Sequence, residues 1–215
     1  MNERNVIVIG GGGHAKVVIN TLQLMDCVIV GILDPKIISG SYVSGVKVLG
    51  DDKCIKNYSA EEIVLANGIG MIPGNNIRWE VQAHYNAEGY DFLSLLHPSA
   101  IVAEDVKLNA GVQIMAGVVI QPGVEIGKGT IINTKTSIDH DCVIGDKCHL
   151  APGVTLSGNV EIGTKSFIGV GSTIMQDVTI GTNCVIGACS IVSKDIKSNM
   201  KLIQSRDNLY SINNG

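Results

Sequence analysis

The sequence predicts a small α/β domain with Rossmann-like winding, residues 1–98, followed by a left-handed parallel β-helix with a C-terminal tail, residues 99–215. Three observations carry this. From Val112 to Asp195 the chain divides without a gap into fourteen hexapeptides in one register. Ahead of them, an apolar run meets four consecutive glycines and then a helical pattern. The composition, with 26 glycines and only 4% aromatics, suits thin stacked layers better than one bulky core.

Taken in order, NVIVIG reads as a first strand and Gly10-Gly11-Gly12-Gly13-His14-Ala15 as a turn. KVVINTLQLM then has helical spacing of apolar residues. VIVGILD is a second strand ending at Asp34-Pro35, EIVLANGIG a third, and IRWEVQAHYNAEG the helix after it. Strands alternating with helices imply a small parallel sheet. YDFLSLLHPSA, closed by Pro98, passes the chain into the repeat.

In the repeat, the third position of every hexapeptide from Ile114 to Val192 is aliphatic, and the first is always Val, Thr, Cys or Ser. Side chains two apart on a strand share a face, so both positions line one interior. Three such units make a triangular coil of about 18 residues, and about five coils are available. Cys142, Cys148 and Cys184 occupy the small first position and are expected in the core.

The net charge of −4 comes without a basic block, which argues against nucleic acid or an anionic membrane as partner. No apolar stretch is long enough to span a bilayer and the start shows no secretory pattern, so a cytoplasmic location is expected. The six cysteines have no C-x-x-C spacing, and neither a metal site nor disulfides are expected.

The glycine turn after a first strand lets backbone approach a phosphate, and the following helix N-terminus offers amide donors. Gly10, Gly12 and Ala15 fit a loose dinucleotide fingerprint, with Asp34 placed to meet a ribose hydroxyl. The alternative is a turn that only packs helix on strand. His84 and His97 read as structural. His14 at the turn fits nucleotide contact or helix capping equally well. By position alone His140 is a polar turn residue and His149 an outward strand residue. With 18 residues per coil, His140 shares one corner column with Pro122, Gly158 and Gln176, while His149 lies half a coil away. One site can use both only if it lies between subunits.

GGGGHAKVV near the start, INTKTSIDHDCVIGDKCHLAPGVTLSGNVEIG in the middle, and the order of the two domains closely resemble the bacterial NeuD/PglD-type sugar O- and N-acetyltransferases. The resemblance spans nearly the whole chain. It implies a homotrimer that uses acetyl-CoA on the amino group of a UDP- or GDP-linked 4-amino sugar. The alternative within the family is O-acetylation of sialic acid or another glycan hydroxyl. Carried over, His140 matches the general base and Asp141 the acid beside it. His149 matches a second histidine near the acetyl group, Gly158 a glycine whose amide bonds the thioester carbonyl, and Val170 and Ala188 the lining of the pantetheine arm. Gly12, Gly13, His14, Asp34, Gly68 and Arg78 match contacts of the nucleotide sugar. Two segments depart from the family pattern. MIPGNNI makes an unusual loop, and the tail KLIQSRDNLYSINNG lacks the G-x-P-A turn that closes related helices.

Histidine suits this chemistry, because its ordinary pKa lies near working pH and an adjacent carboxylate fixes its tautomer. An acetyl thioester is already activated, so direct transfer in a ternary complex is expected. A zinc hydratase on the same scaffold would need three imidazoles, whereas the helix offers His140 and His149. A non-catalytic binding helix is the remaining class.

Overall fold

The computed structural model describes residues 5–204. The first domain begins with β1 (Asn5–Ile9), α1 (Gly13–Leu24) and β2 (Ile29–Leu33). It continues through β3 (Tyr42–Val43), β4 (Val46–Gly50), a 3₁₀ turn at Asp52–Asn57, β5 (Ile63–Asn67) and α2 (Ile77–Ala87). The sheet order is β3-β4-β2-β1-β5, with every pair parallel except the β3-β4 hairpin. The winding reverses at β1, which lies between β2 and β5, so the carboxyl ends of β1 and β5 flank the place where such sheets take ligands.

The expected alternation of strand and helix fails between β2 and β5, where a hairpin replaces a crossover helix. Its cause is local. Ser44 and Gly45 both have positive φ, 48° and 80°, the requirement of a two-residue hairpin turn, and Val43 pairs with Val46 across it. EIVLANGIG is therefore the fifth strand of the domain rather than the third.

The hexapeptides form a three-faced parallel β-helix of two-residue strands, hydrogen-bonded to strands eighteen residues away except at the end, where Val185–Ile186 pairs with Lys201–Leu202 at sixteen. The first face runs from Ile101–Val102 to Ile191–Val192, the second from Lys107–Leu108 to Thr179–Ile180, and the third from Leu95–Leu96 to Lys201–Leu202. First and third positions of the repeat are all buried. Each fully buried Ile or Val contributes about 1.5–3 kcal/mol, so the repeated column dominates the helix's stability. Four of the five polar first positions are reconciled by a constant offset, and the fifth, Ser190, donates to Gly187 O three residues back. The hydroxyls of Thr130, Thr136, Ser166 and Ser172 each donate to a carbonyl fifteen residues on, at 2.8–3.2 Å. Cys142 and Cys148 thiols reach carbonyls at the same offset, and burial pushes Cys148 up to about 12. These cysteines are core residues, as their position predicts.

The last residue of every hexapeptide but the fourteenth turns the corner in the left-handed region. Gly serves at five of these positions, and Lys135, Asp141, Asn159 and Asp177 adopt the same φ of 58–60°. The segment 92–96 joins the two domains. Phe92 bridges to Leu65 of β5, and Leu95–Leu96 pairs with Gln113–Ile114 to open the third face. Met115 and Leu95 share a buried apolar cluster with α1 and the sheet. The first domain thus covers one part of the third face: Gln113, Ile131 and His149 are buried there, while Glu125, Val143 and Glu161 at the same repeat position on the second face are exposed. Among the described residues no helix is long and apolar enough to cross a membrane.

Candidate active site

His140 stands on the corner between the first and second faces, in the turn from Ser137–Ile138 to Val143–Ile144. Its neighbours hold it from both sides. Its main-chain N–H donates to Asp139 Oδ1 at 2.8 Å, and ring Nδ1 meets Asp141 Oδ2 at 2.9 Å. A carboxylate only accepts, so Nδ1 carries the proton and Nε2 keeps its lone pair free, with no partner among the described residues. The hydrogen bond to Asp141, helped by the charges of Asp139 and Asp141, raises the imidazole above its ordinary pKa. The side chain is 61% exposed and open to substrate.

Two glycines make the room. A Cβ at Gly158 would lie 2.6 Å from His140 Cε1, and one at Gly123 would lie 2.4 Å from Asp141 Oδ1. The corner column of Pro122, His140, Gly158 and Gln176 has the eighteen-residue stacking that the repeat predicts. Asp141 N donates to Pro122 O, Asn159 N to His140 O and Asp177 N to Gly158 O.

In the first domain, Gly10 needs its φ of 87°, and a Cβ on Gly11 would meet Ile37 Cδ1 at 2.4 Å. Gly12 and Gly13 are open instead: a Cβ on either would point into free space, with nothing within 4 Å. The first turn of α1 has no side-chain cap. Its N–H groups are left for an incoming acceptor. Asp34 accepts from Gly11 N and Lys36 N, both at 2.8 Å, so it braces the glycine turn. Gly68 is required by packing, because a Cβ there would come within 2.9 Å of Gly10 O, Ala15 Cβ and Val8 Cγ1.

His14, Arg78 and His149 meet where the first domain covers the third face. Arg78 is 1% exposed and has no carboxylate partner among the described residues, its Nη1 donating to Asn67 O at 3.2 Å and to Ile69 O. Burial draws its pKa down to about 9. His149, a residue whose strand position would also suit open surface, is buried. Asn133 Oδ1 accepts from Thr134 N, which turns Asn133 Nδ2 toward His149 Nε2 at 3.2 Å. Nδ1 of His149 therefore carries its proton; it makes no well-formed hydrogen bond among the described residues, but the main chain of Met71 lies close enough to it to favour the charged ring. Burial, with the charges of His14 and Arg78, lowers His149 to about 3, and burial with Arg78 lowers His14 to about 4. Both rings are neutral at pH 7.

Val170 and Ala188 are exposed and stack eighteen residues apart on the corner between the third and first faces. Cys189 N donates to Val170 O there, and a Cβ on Gly169 would strike Ala188 N at 2.5 Å. The chain therefore brings together His140, Asp141 and Gly158 at one corner, Val170 and Ala188 at another, and His14, Arg78 and His149 under the first domain. It does not bring these groups to one point. MIPGNNI lies against the third face, where residues 71–76 enclose a cavity of about 140 Å³ with Lys165, Phe167, Asn183 and Val185. A larger cleft of about 1300 Å³, lined by Val28, Val64, Trp79, Phe92 and Lys128, contains none of the sequence-predicted site residues and lies at the amino ends of the strands. Among the described residues no cluster of His, Cys, Asp and Glu is placed to hold a metal ion.

Sequence reasoning passed over Asp139, Gly123 and Gln113. The first was legible, since D-H-D offers a carboxylate on each side of the ring. Replacing Asp141 gives a signed expectation. Asn keeps the size but removes the charge and weakens the bond to the imidazolium, so the pKa of His140 falls. In Asp141→Asn the acid limb of the kcat profile moves to lower pH while the plateau drops; a pH–rate series checks this, and an unchanged limb would leave Asp141 as a turn residue only.

Residues 5–85 match the PglD N-terminal domain family, and residues 123–158 and 159–194 match the bacterial transferase hexapeptide family of six repeats. Among solved structures, the acetyltransferase domain of PglB from Neisseria gonorrhoeae FA1090 in complex with acetyl coenzyme A is 32% identical. Its TM-score is 0.85, covering 93% of this chain and 96% of that one. PerB from Caulobacter crescentus, solved with CoA and GDP-perosamine, is 36% identical with a TM-score of 0.82, covering 92% of each chain. WeeI from Acinetobacter baumannii AYE, at 22% identity and a TM-score of 0.74, shares the fold.

Proposed function

The chain belongs to the NeuD/PglD-type family of hexapeptide-repeat sugar acetyltransferases, which use acetyl-CoA, and from that premise we propose that it N-acetylates the amino group of a nucleotide-linked amino sugar with His140 as general base. The observation that carries the chemistry is the His140–Asp141 pair, with its proton on Nδ1 and its free, exposed Nε2. In the proposed step the amine nitrogen attacks the thioester carbonyl carbon. A C–N bond forms, the C–S bond breaks, and the amine proton passes to His140 Nε2, which returns it to the departing thiolate. Asp141 stabilises the imidazolium between those events. The Gly158 N–H, beside the ring and without an acceptor among the described residues, suits the developing oxyanion.

The acceptor half of the reading is supported by the open Gly12-Gly13 backbone and the uncapped start of α1, which fit a diphosphate. His14, Asp34, Gly68 and Arg78 shape that end of the domain. The donor half is supported by the small, exposed column of Val170 and Ala188, along which a pantetheine arm fits, with His149 on the adjoining face. His140 and this column occupy different corners, so a site using both takes them from two subunits of a homotrimer. Binding measurements separate the halves. Asp34→Ala frees the glycine turn, and the acceptor KM is expected to rise about tenfold, the usual effect of losing a charged hydrogen-bond acceptor. Acetyl-CoA binding should be spared. Calorimetry showing weakened CoA binding with intact nucleotide binding would reverse the two assignments.

A further inference from the structure

Gln113 sits at the outward second position of its hexapeptide, where the second face carries exposed Lys107, Glu125 and Glu161, yet it is 1% exposed. A buried amide has to find partners for both ends. Its Nε2 donates to the main-chain carbonyl of Asn67, at the end of β5, at 2.8 Å. That carbonyl only accepts, so the amide cannot be turned round, and Oε1 faces His14 Nε2 at 2.8 Å. An amide oxygen accepts, so the proton of His14 is on Nε2 and its Nδ1 is left as an acceptor. His14 is the second residue of α1, immediately after Gly12-Gly13.

The Asn67 end is equally specific. Its carbonyl also takes Arg78 Nη1, its Nδ2 reaches Arg78 O and Gln82 Oε1, and its Oδ1 accepts from Ile69 N. Gly70 packs on His14, a Cβ there lying 3.4 Å from His14 Cβ. One side chain of the β-helix thus grips the carboxyl end of β5 and the start of α1, the two edges of the crevice where the sheet's winding reverses. We propose that Gln113 is a positioning residue that fixes the tautomer and orientation of His14 at the glycine turn, and so couples acceptor recognition by the first domain to its docking on the β-helix. This rests on the reading of the first domain as the acceptor-binding unit.

The charged and titratable groups facing His14 are Arg78 from α2 and His149 from the third face. Burial, helped by the Arg78 charge, keeps His14 neutral against the smaller upward pull of its bond to Gln113, so nucleotide affinity in the native protein should be flat from about pH 6 to 8 on account of this group. Gln113→Glu keeps an acceptor for His14 but adds a negative charge, which favours the imidazolium and raises the pKa. Gln113→Met keeps the volume and removes both hydrogen bonds.

The test uses the full chain, with GDP and UDP as probes by calorimetry, CoA as control, and NMR titration of the His14 imidazole, assigned with His14→Gln. Circular dichroism and gel filtration establish that each variant folds. Gln113→Met is expected to weaken the bound nucleotide about tenfold and leave CoA unchanged. In Gln113→Glu the His14 titration should move up by more than about one pH unit, and nucleotide affinity should now strengthen as pH falls through it. A folded Gln113→Met with native nucleotide affinity, or a Gln113→Glu with unmoved His14 titration, overturns the proposal. If the native protein binds CoA but neither GDP nor UDP, the acceptor reading fails first and takes this proposal with it, a result visible before any variant is made.

Discussion

His140→Ala is expected to fold as the native protein does and to lose turnover by roughly 10² to 10⁴, the range for removing a general base. The fold should survive because the side chain is 61% exposed and its corner is held by main-chain bonds, Asp141 N to Pro122 O and Asn159 N to His140 O. The loss should appear in kcat, with little change in the KM of either substrate, because the ring acts on a proton in transit rather than on a bound ground state. Steady-state kinetics with both substrates saturating would measure it. A folded variant with near-native kcat would remove His140 from the mechanism.

The second large effect is recovery rather than loss. His140 and the Val170–Ala188 column stand on different corners of one triangular prism, so a site that needs both draws them from neighbouring chains. His140→Ala removes the base, and Ala188→Trp fills the exposed column with an indole. Each variant alone should be nearly inactive. Unfolded together and reassembled, every mixed trimer has an interface where an intact His140 faces an intact Ala188. About one third of the sites in mixed trimers should regain native chemistry, since a closed ring of two kinds of chain has one such ordered junction. If a single chain supplied both groups, every site would keep one lesion. Mixed trimers verified by mass spectrometry with no activity beyond the separate variants would rule out the shared site.

The helix was legible because its period is short and strict. A two-residue strand cannot bury an aliphatic third position fourteen times except by coiling, and the first and third positions are buried throughout. The first sheet was less so. Periodicity found β1, β2 and β5 but not the hairpin of β3 and β4, whose signal is a two-residue turn at Ser44-Gly45 rather than an apolar run. The site divides in the same way. The His140 corner follows from sequence spacing, since its partners are adjacent residues or lie one coil away. The burial of His149 and Gln113 does not, because their repeat position points outward and only the docking of the first domain decides which outward positions are covered. The same docking makes His14 and His149 neutral neighbours of a buried arginine, a consequence of contacts between residues about a hundred positions apart.

Acetyl transfer to an amine on a nucleotide-linked sugar can be read out with a substrate panel. The native protein would be incubated with acetyl-CoA and, separately, GDP- and UDP-linked 4-amino sugars, the corresponding 3-amino sugars, and free sialic acid, with thiol release and product mass followed together. One nucleotide-linked amino sugar should be turned over with an acetamide in the product, with little or no reaction of free sialic acid. Efficient O-acetylation of sialic acid, with the nucleotide-linked amines inert, would contradict acetyl transfer to an amine.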